Sequence, residues 1–187
     1  EAAFRHVREK RLASGVPFDL GEDPNDTGVI GTLYTEITTT LGSLEAKRAT
    51  TNPNVAAMMV QLLDEAGLRA GDHIAVNLSS SFPCLNIAML CAAETLGIDY
   101  TAIFSVGAST YGATIPTLTY GDMEHALVTE GILEQGSIGF SLGGQEDRGL
   151  EMPEALRQTI AERVVSFGET YFDSPDFEAA VAQRIAC

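Results

Sequence analysis

Residues 73 to 106 read HIAVNLSSSFPCLNIAMLCAAETLGIDYTAIFSV. The opening HIAVNL, residues 73 to 78, has the length and apolar content of a short buried strand. After three serines and Phe82, the run from Pro83 to Leu96 begins with proline in the first helical turn and stops at Gly97, the punctuation of a helix. Tyr100 to Val106 is again strand-like. Two strands joined through a helix cannot be a hairpin. They predict a crossover between parallel neighbours.

Toward the carboxyl end the alternation continues. A small-residue loop leads to a helix over Gly121 to Glu130 that stops at Gly131, and SIGFSL (137–142) is the next strand. A helix over Pro153 to Phe167, a short strand near Thr170 to Phe172 and a helix opened by Asp173-Ser174-Pro175 complete the series. Toward the amino end, Asn52 and Pro53 read as cap and first turn of a helix ending at Gly67, with Val55, Met58, Met59, Leu62 and Leu63 inward. Gly28 to Thr40 is β-rich. Residues 2 to 14 suit a helix with Phe4, Val7 and Arg11/Leu12 at helical spacing and bases on its other face. Gly15, Pro17 and the run 21–26 break it. The expected organisation is a basic helical arm over residues 1–20 and an α/β domain over 28–187. Its fold class is three-layer and Rossmann-like, with a mostly parallel sheet.

The 187 residues are 45% hydrophobic and 20% charged, with no apolar run long enough to span a membrane. Twenty-six acids against eleven bases leave a net charge of −15. A field of that sign repels phosphate backbones, so broad nucleic-acid binding is not expected. The charge is uneven: residues 1 to 11 carry +2, leaving −17 on the other 176. Only Lys10 and Lys47 are lysines, and Lys47-Arg48 is the domain's one adjacent basic pair. It reads either as an exposed, solvated helical turn or as a capture point for an acidic ligand. Cys84 and Cys91 fall seven residues apart on one helix, about 10 Å between Cα atoms, which is too far for a disulfide. The chain opens on Glu1 rather than methionine, as a processed piece would.

In a parallel sheet, ligands bind beyond the carboxyl ends of the strands. The segments expected there are Ser79-Ser80-Ser81, Ser105 to Gly112 and Ser141 to Gly149, all rich in small, hydroxyl-bearing or glycine residues. The Pro83 helix begins just after the first of them, and unpaired helix N–H groups favour an anion. The candidate ligand-binding residues are Ser79, Ser80, Ser81, Asn86, Ser105, Ser109, Thr110 and Arg148, with Lys47 and Arg48 nearby. The plainer reading is that the serines cap the helix and the glycines make tight turns. No G-x-x-x-x-G-K-[ST] loop and no G-x-G-x-x-G turn occurs, so no nucleotide cofactor is expected. The elbow of a serine hydrolase is missing too, since residues 78–82 read LSSSF. His6, His73 and His125 fall where none can serve a strand-end serine. Asp122 and Glu124 read as first-turn acids on a helix dipole, and no metal site is expected. Cys84 reads as a packing residue.

Three of these stretches also carry a likeness. TTTLGSLEAKRATTNPN (38–54), the strand with SSSFPCLNIA (74–88) and SVGASTYGAT (105–114) resemble the poly-γ-glutamate system protein family, in order along nearly the whole chain. Ser80 and Cys84 depart from it, standing where the family has glycine and a small residue. The resemblance implies an accessory protein of bacterial poly-γ-glutamate capsule synthesis and export, working with synthase and export components. It also implies a membrane anchor just before Glu1, for which Arg5 to Arg11 would be a juxtamembrane helix, and further chain beyond Cys187. It implies no reaction. The function expected is therefore binding of a small anionic ligand or glutamyl chain end in the strand-end crevice. The alternatives are a serine-dependent hydrolase or transferase using Ser80 or Ser81, and a non-catalytic scaffold for the synthase complex.

Overall fold

The computed structural model describes residues 1–187. In chain order the elements are α1 (Ala2–Ala13), β1 (Thr38–Thr40), α2 (Leu44–Thr50), α3 (Asn54–Glu65), β2 (His73–Ser79), α4 (Pro83–Leu96), β3 (Asp99–Ser105), β4 (Ala108–Ser109), α5 (Tyr120–Thr129), β5 (Gly139–Ser141), α6 (Glu154–Val165), β6 (Thr170–Tyr171) and α7 (Phe177–Ile185). No helix is long and apolar enough to cross a membrane.

The main sheet has the order β2-β3-β5-β6, every pair parallel. β2 and β3 run in register from His73 opposite Asp99 to Ser79 opposite Ser105. The order never reverses, so right-handed crossovers must place all their helices on one face. That face carries Tyr100, Phe104, Phe140 and Tyr171. Tyr100 donates to Glu94 of α4 at 2.8 Å, and Phe104 meets Tyr120 of α5 edge-on at 5.4 Å. Phe104, Phe140 and Tyr171 stack across three strands, with centroids 5.6 and 5.1 Å apart. Gly121 lets α5 sit this close, because a β-carbon there would stand 2.7 Å from the Phe104 ring. On the opposite face lies α7, whose Arg184 reaches Asn77 of β2. Helices, sheet and α7 make a three-layer, Rossmann-like α/β fold. α7 leaves the β2 side of its face open, so His73, Ala75, Asn77 and Ser79 are all exposed and only Leu78 of the expected buried strand is buried, because β2 is the sheet's edge.

Several expectations are corrected. The β-rich stretch 28–40 forms a strand only at Thr38–Thr40, which pairs in parallel with β4 in a separate two-stranded sheet. The rest is irregular chain stitched to the 108–114 loop: Gly31 N donates to Tyr111 O, and Tyr111 N to Thr32 O. Val29, Ile30 and Ile37 are nonetheless buried, so β-branched side chains fill the core without a ladder. On α3, Leu63 is buried but Met58 and Leu62 face solvent. The next strand is only Gly139–Ser141, because Ser137 is held outside the ladder by Glu124. Glu124 itself is buried and is no solvated first-turn acid, whereas Asp122 does form a capping box with Thr119. Asp176 caps α7.

The amino-terminal helix is docked. Ala3 and Val7 join the main core, and Arg11, expected at the margin of the apolar stripe, is fully buried while Leu12 is exposed. The Arg11 guanidinium donates to the carbonyls of Gly28 and Ile30 at 2.9 and 2.5 Å and to Pro17 O at 2.8 Å. It also stacks over Phe18 at 5.0 Å.

Candidate functional site

β2, β3 and β5 end on Ser79, Ser105 and Ser141, so the parallel register lines up three hydroxyl-bearing residues at one edge. Above Ser79 and Ser105, under α7, is a cavity of about 370 Å³. Its polar lining is Asn77, Ser79, Ser105, Asp147 and Arg184, and α7 contributes an apolar wall. Arg184 is fixed by four bonds: to Asn77 Oδ1 at 3.0 Å, Ser141 Oγ at 2.6 Å, and Asp147 Oδ2 from Nη2 at 2.9 Å and Nε at 3.3 Å. Ser141 Oγ donates to Asp147 Oδ1 at 2.7 Å. Asp147 follows Glu146, and both have positive φ, 62° and 59°. Non-glycine residues held there cost on the order of 1–3 kcal/mol each. The Arg184 and Ser141 bonds hold Asp147 in place against that cost.

A second cluster lies beside the first. Ser79 Oγ accepts from Ser81 N at 3.2 Å, Ser81 Oγ accepts from Ser109 N at 2.9 Å, and Ser109 Oγ accepts from Lys47 Nζ at 2.7 Å. Lys47 is only 2% exposed, so it is not the solvated residue of the plainer reading. No carboxylate pairs with it. Its ammonium lies 3.6 Å from the centre of the Phe82 ring instead. Burial pulls the Lys47 ammonium down to about 8, because desolvation penalises the charged form. The π-face favours the charged form but supplies no full counter-charge. Cys84 is also buried, which pushes its thiol well above the usual range.

No protein-family model, curated protein or solved structure matches this chain. What the site can do is therefore a matter of its own chemistry. The predicted residues divide into three groups. Ser79 and Ser105 line the cavity, while Ser81, Ser109 and Lys47 form the adjoining cluster. Ser80, Asn86 and Thr110 are engaged in bonds to the protein's own backbone. Ser80 is fully buried with its hydroxyl on Ser105 O at 2.5 Å, and Asn86 Nδ2 donates to Ser79 O at 2.9 Å. Thr110 Oγ1 both accepts from Gly42 N at 2.8 Å and donates to Gly42 O at 2.9 Å. Arg148 and Arg48 lie elsewhere. Arg148 donates to Pro175 O at 3.0 Å beside α6. Arg48 pins the segment after α1 through Glu22 O at 3.0 Å and Gly21 O.

The sequence points to Arg148 as the crevice's arginine, whereas Arg184 is the one that lines the cavity. The glycines and hydroxyls of loop 141–149 mark it in the sequence, yet nothing local marks Arg184, which stands 107 residues from Asn77. Neither Ser80 nor Ser81 has a histidine, lysine or carboxylate as a hydrogen-bond partner.

Proposed function

We propose that the protein binds a small anionic ligand, foremost a carboxylate-bearing glutamyl chain end, in the cavity at the strand carboxyl ends. The observation that carries this is a convergence of donors. The Ser79 and Ser105 hydroxyls and the Arg184 guanidinium line one cavity of about 370 Å³. Asp147 already neutralises much of the Arg184 charge, so hydroxyl donors carry much of the recognition. A net charge of −15 repels a long polyanion, which favours recognition of an end over a wrapped chain.

The wider role is an accessory component of poly-γ-glutamate synthesis and export, with synthase components as partners and a membrane anchor preceding Glu1. Its support is the resemblance of segments 38–54, 74–88 and 105–114, together with their meeting in space. Lys47 comes from the first, Ser81 from the second and Ser109 from the third. A scaffold role draws on the apolar wall of the same cavity: α7 exposes Phe177, Val181 and Ile185 at four-residue spacing. Co-purification with a synthase subunit that survives Ser105→Ala but is lost on Val181→Asp would favour that role.

The binding reading is tested by calorimetry and melting curves with phosphate, glutamate and short γ-linked glutamate oligomers. A ligand at 100 times its dissociation constant adds about 2.7 kcal/mol of stability. An oligomer should stabilise the wild type, and Ser105→Ala should weaken it at least about tenfold, the loss of one hydrogen bond to a charged group. A well-folded sample that none of these ligands stabilises would overturn the reading.

A further inference from the structure

The structure assigns a second capability to the corner next to the cavity. We propose that Ser109 and Lys47 are a nucleophile and its general base for acyl transfer, roofed by the segment Leu41–Ser43. The proposal stands independently of ligand binding in the cavity.

The geometry is that of a reacting pair. Lys47 Nζ and Ser109 Oγ are 2.7 Å apart, within proton-transfer reach. A lysine kept for structure alone would ordinarily be paired with a carboxylate when buried, and Lys47 has none. Nor does the Ser109 hydroxyl donate to any other protein group, so its proton has one destination, the neutral amine. Burial helps by bringing that amine within reach of ordinary pH. Serine–lysine pairs of this kind recur as catalytic centres on unrelated folds.

The roof is thin. Ser109 is 5% exposed, yet Gly42 above it is exposed and Leu41 is 87% exposed. A β-carbon at Gly42 would stand 2.8 Å from Ser109 Oγ, so the backbone of an exposed glycine lies directly against the hydroxyl. Thr110 holds that backbone by two bonds, and Tyr111 beside it has a φ of 64°. Strain of this kind clusters at ligand clamps and switch regions.

The chemistry balances as follows. Ser109 Oγ bonds to the carbonyl carbon of an ester or amide, its proton passes to Lys47 Nζ, and the carbonyl π pair moves to oxygen. Collapse breaks the C–O or C–N bond, and the leaving alkoxide or amine takes the proton from the Lys47 ammonium. The acyl group then rests on Ser109 until water, or an acceptor amine, attacks. Lys47 takes and returns the second proton, and the serine is restored.

The test is labelling of the full chain with a fluorophosphonate from pH 6 to 10, mapped by peptide mass spectrometry. Phosphorus gains the Ser109 oxygen, fluoride leaves and Lys47 receives the proton. Ser109 should carry the label, and the rate should rise roughly tenfold from pH 7 to 9 as the amine deprotonates near 8. Lys47→Arg and Lys47→Met, checked as folded by their melting curves, should lose it. Ser166→Ala, on the far end of α6, should keep it. A folded wild type that stays unlabelled overturns the proposal. So does a label on another serine, or an undiminished rate in folded Lys47→Arg. If both lysine variants fail to fold, the wild-type pH profile decides, and a flat one overturns it. Labelled Ser109 in a protein that binds no anion would sink the cavity reading and leave this one standing.

Discussion

Glu169 sits at the other end of the sheet from Lys47, and its burial acts in the opposite direction. Desolvation first, and the nearby Glu124 carboxyl second, push Glu169 up to about 8. Its Oε2 has no hydrogen-bond partner, while Glu124 is satisfied by Tyr120 and Ser137. A raised folded value means the folded chain holds a proton that the unfolded chain releases above about 4.5. The stability linked to that proton is complete below about 4.5, declines as pH rises and is gone above about 8. Glu169→Gln should therefore flatten the pH dependence across this window. At pH 8.5 it should exceed the wild type by about 2 kcal/mol, the full shift being damped by partial solvent access. Urea melts at pH 5 and 8.5 read this directly, and parallel curves for the two proteins would refute it.

Among the elements, α1 shows how one side chain anchors a helix. Arg11 carries three carbonyls from the segment that follows α1, and burial lowers its guanidinium only to about 10, so it stays charged at neutral pH. Arg11→Met keeps the volume but leaves those carbonyls unpaired, at an expected cost of about 3 kcal/mol. In a chain of this size that lowers the melting temperature by about 9 °C, measurable by circular dichroism. The element level is also where reading from sequence divides into success and failure. Residues 73–106 were legible because strand and helix signals there are local: apolar runs of the right length, Pro83 in the first turn and Gly97 at the stop. Residues 28–37 misled because β-branched residues mark burial as readily as pairing, and their backbone partners lie in the loop 108–114. Lys47 stands out in the sequence as half of the domain's one adjacent basic pair, but its seat on Phe82 and Ser109 depends on contacts far along the chain. Arg184 had no local mark at all, since Asn77 and Asp147 are 107 and 37 residues away.

For the molecule as a whole, charge is the dominant global term. With −15 on 187 residues and only five salt bridges, like charges repel across the surface. Raising NaCl from 20 to 300 mM shortens the screening length from about 20 Å to about 6 Å. The melting temperature should rise by several degrees. Scanning calorimetry at the two salt levels checks this, and a fall would show that the few ion pairs outweigh the repulsion.

The unreversed strand order has a consequence for how the molecule comes together. Each strand of the main sheet pairs with one that is only a helix away in the chain, so the sheet can zip up from short-range closures. The cavity and the Ser109 corner cannot. The roof over Ser109 depends on Gly42 meeting Thr110 across 68 residues, and the cavity's arginine on Arg184 meeting Asn77 across 107. Such closures come late and are the first to loosen. Local loosening of the roof or of α7 would leave the hydrogen bonds of the sheet intact. The loops and α7 around the cavity and the Ser109 corner would then be the last parts to assemble and the easiest to exchange for others on an unchanged frame.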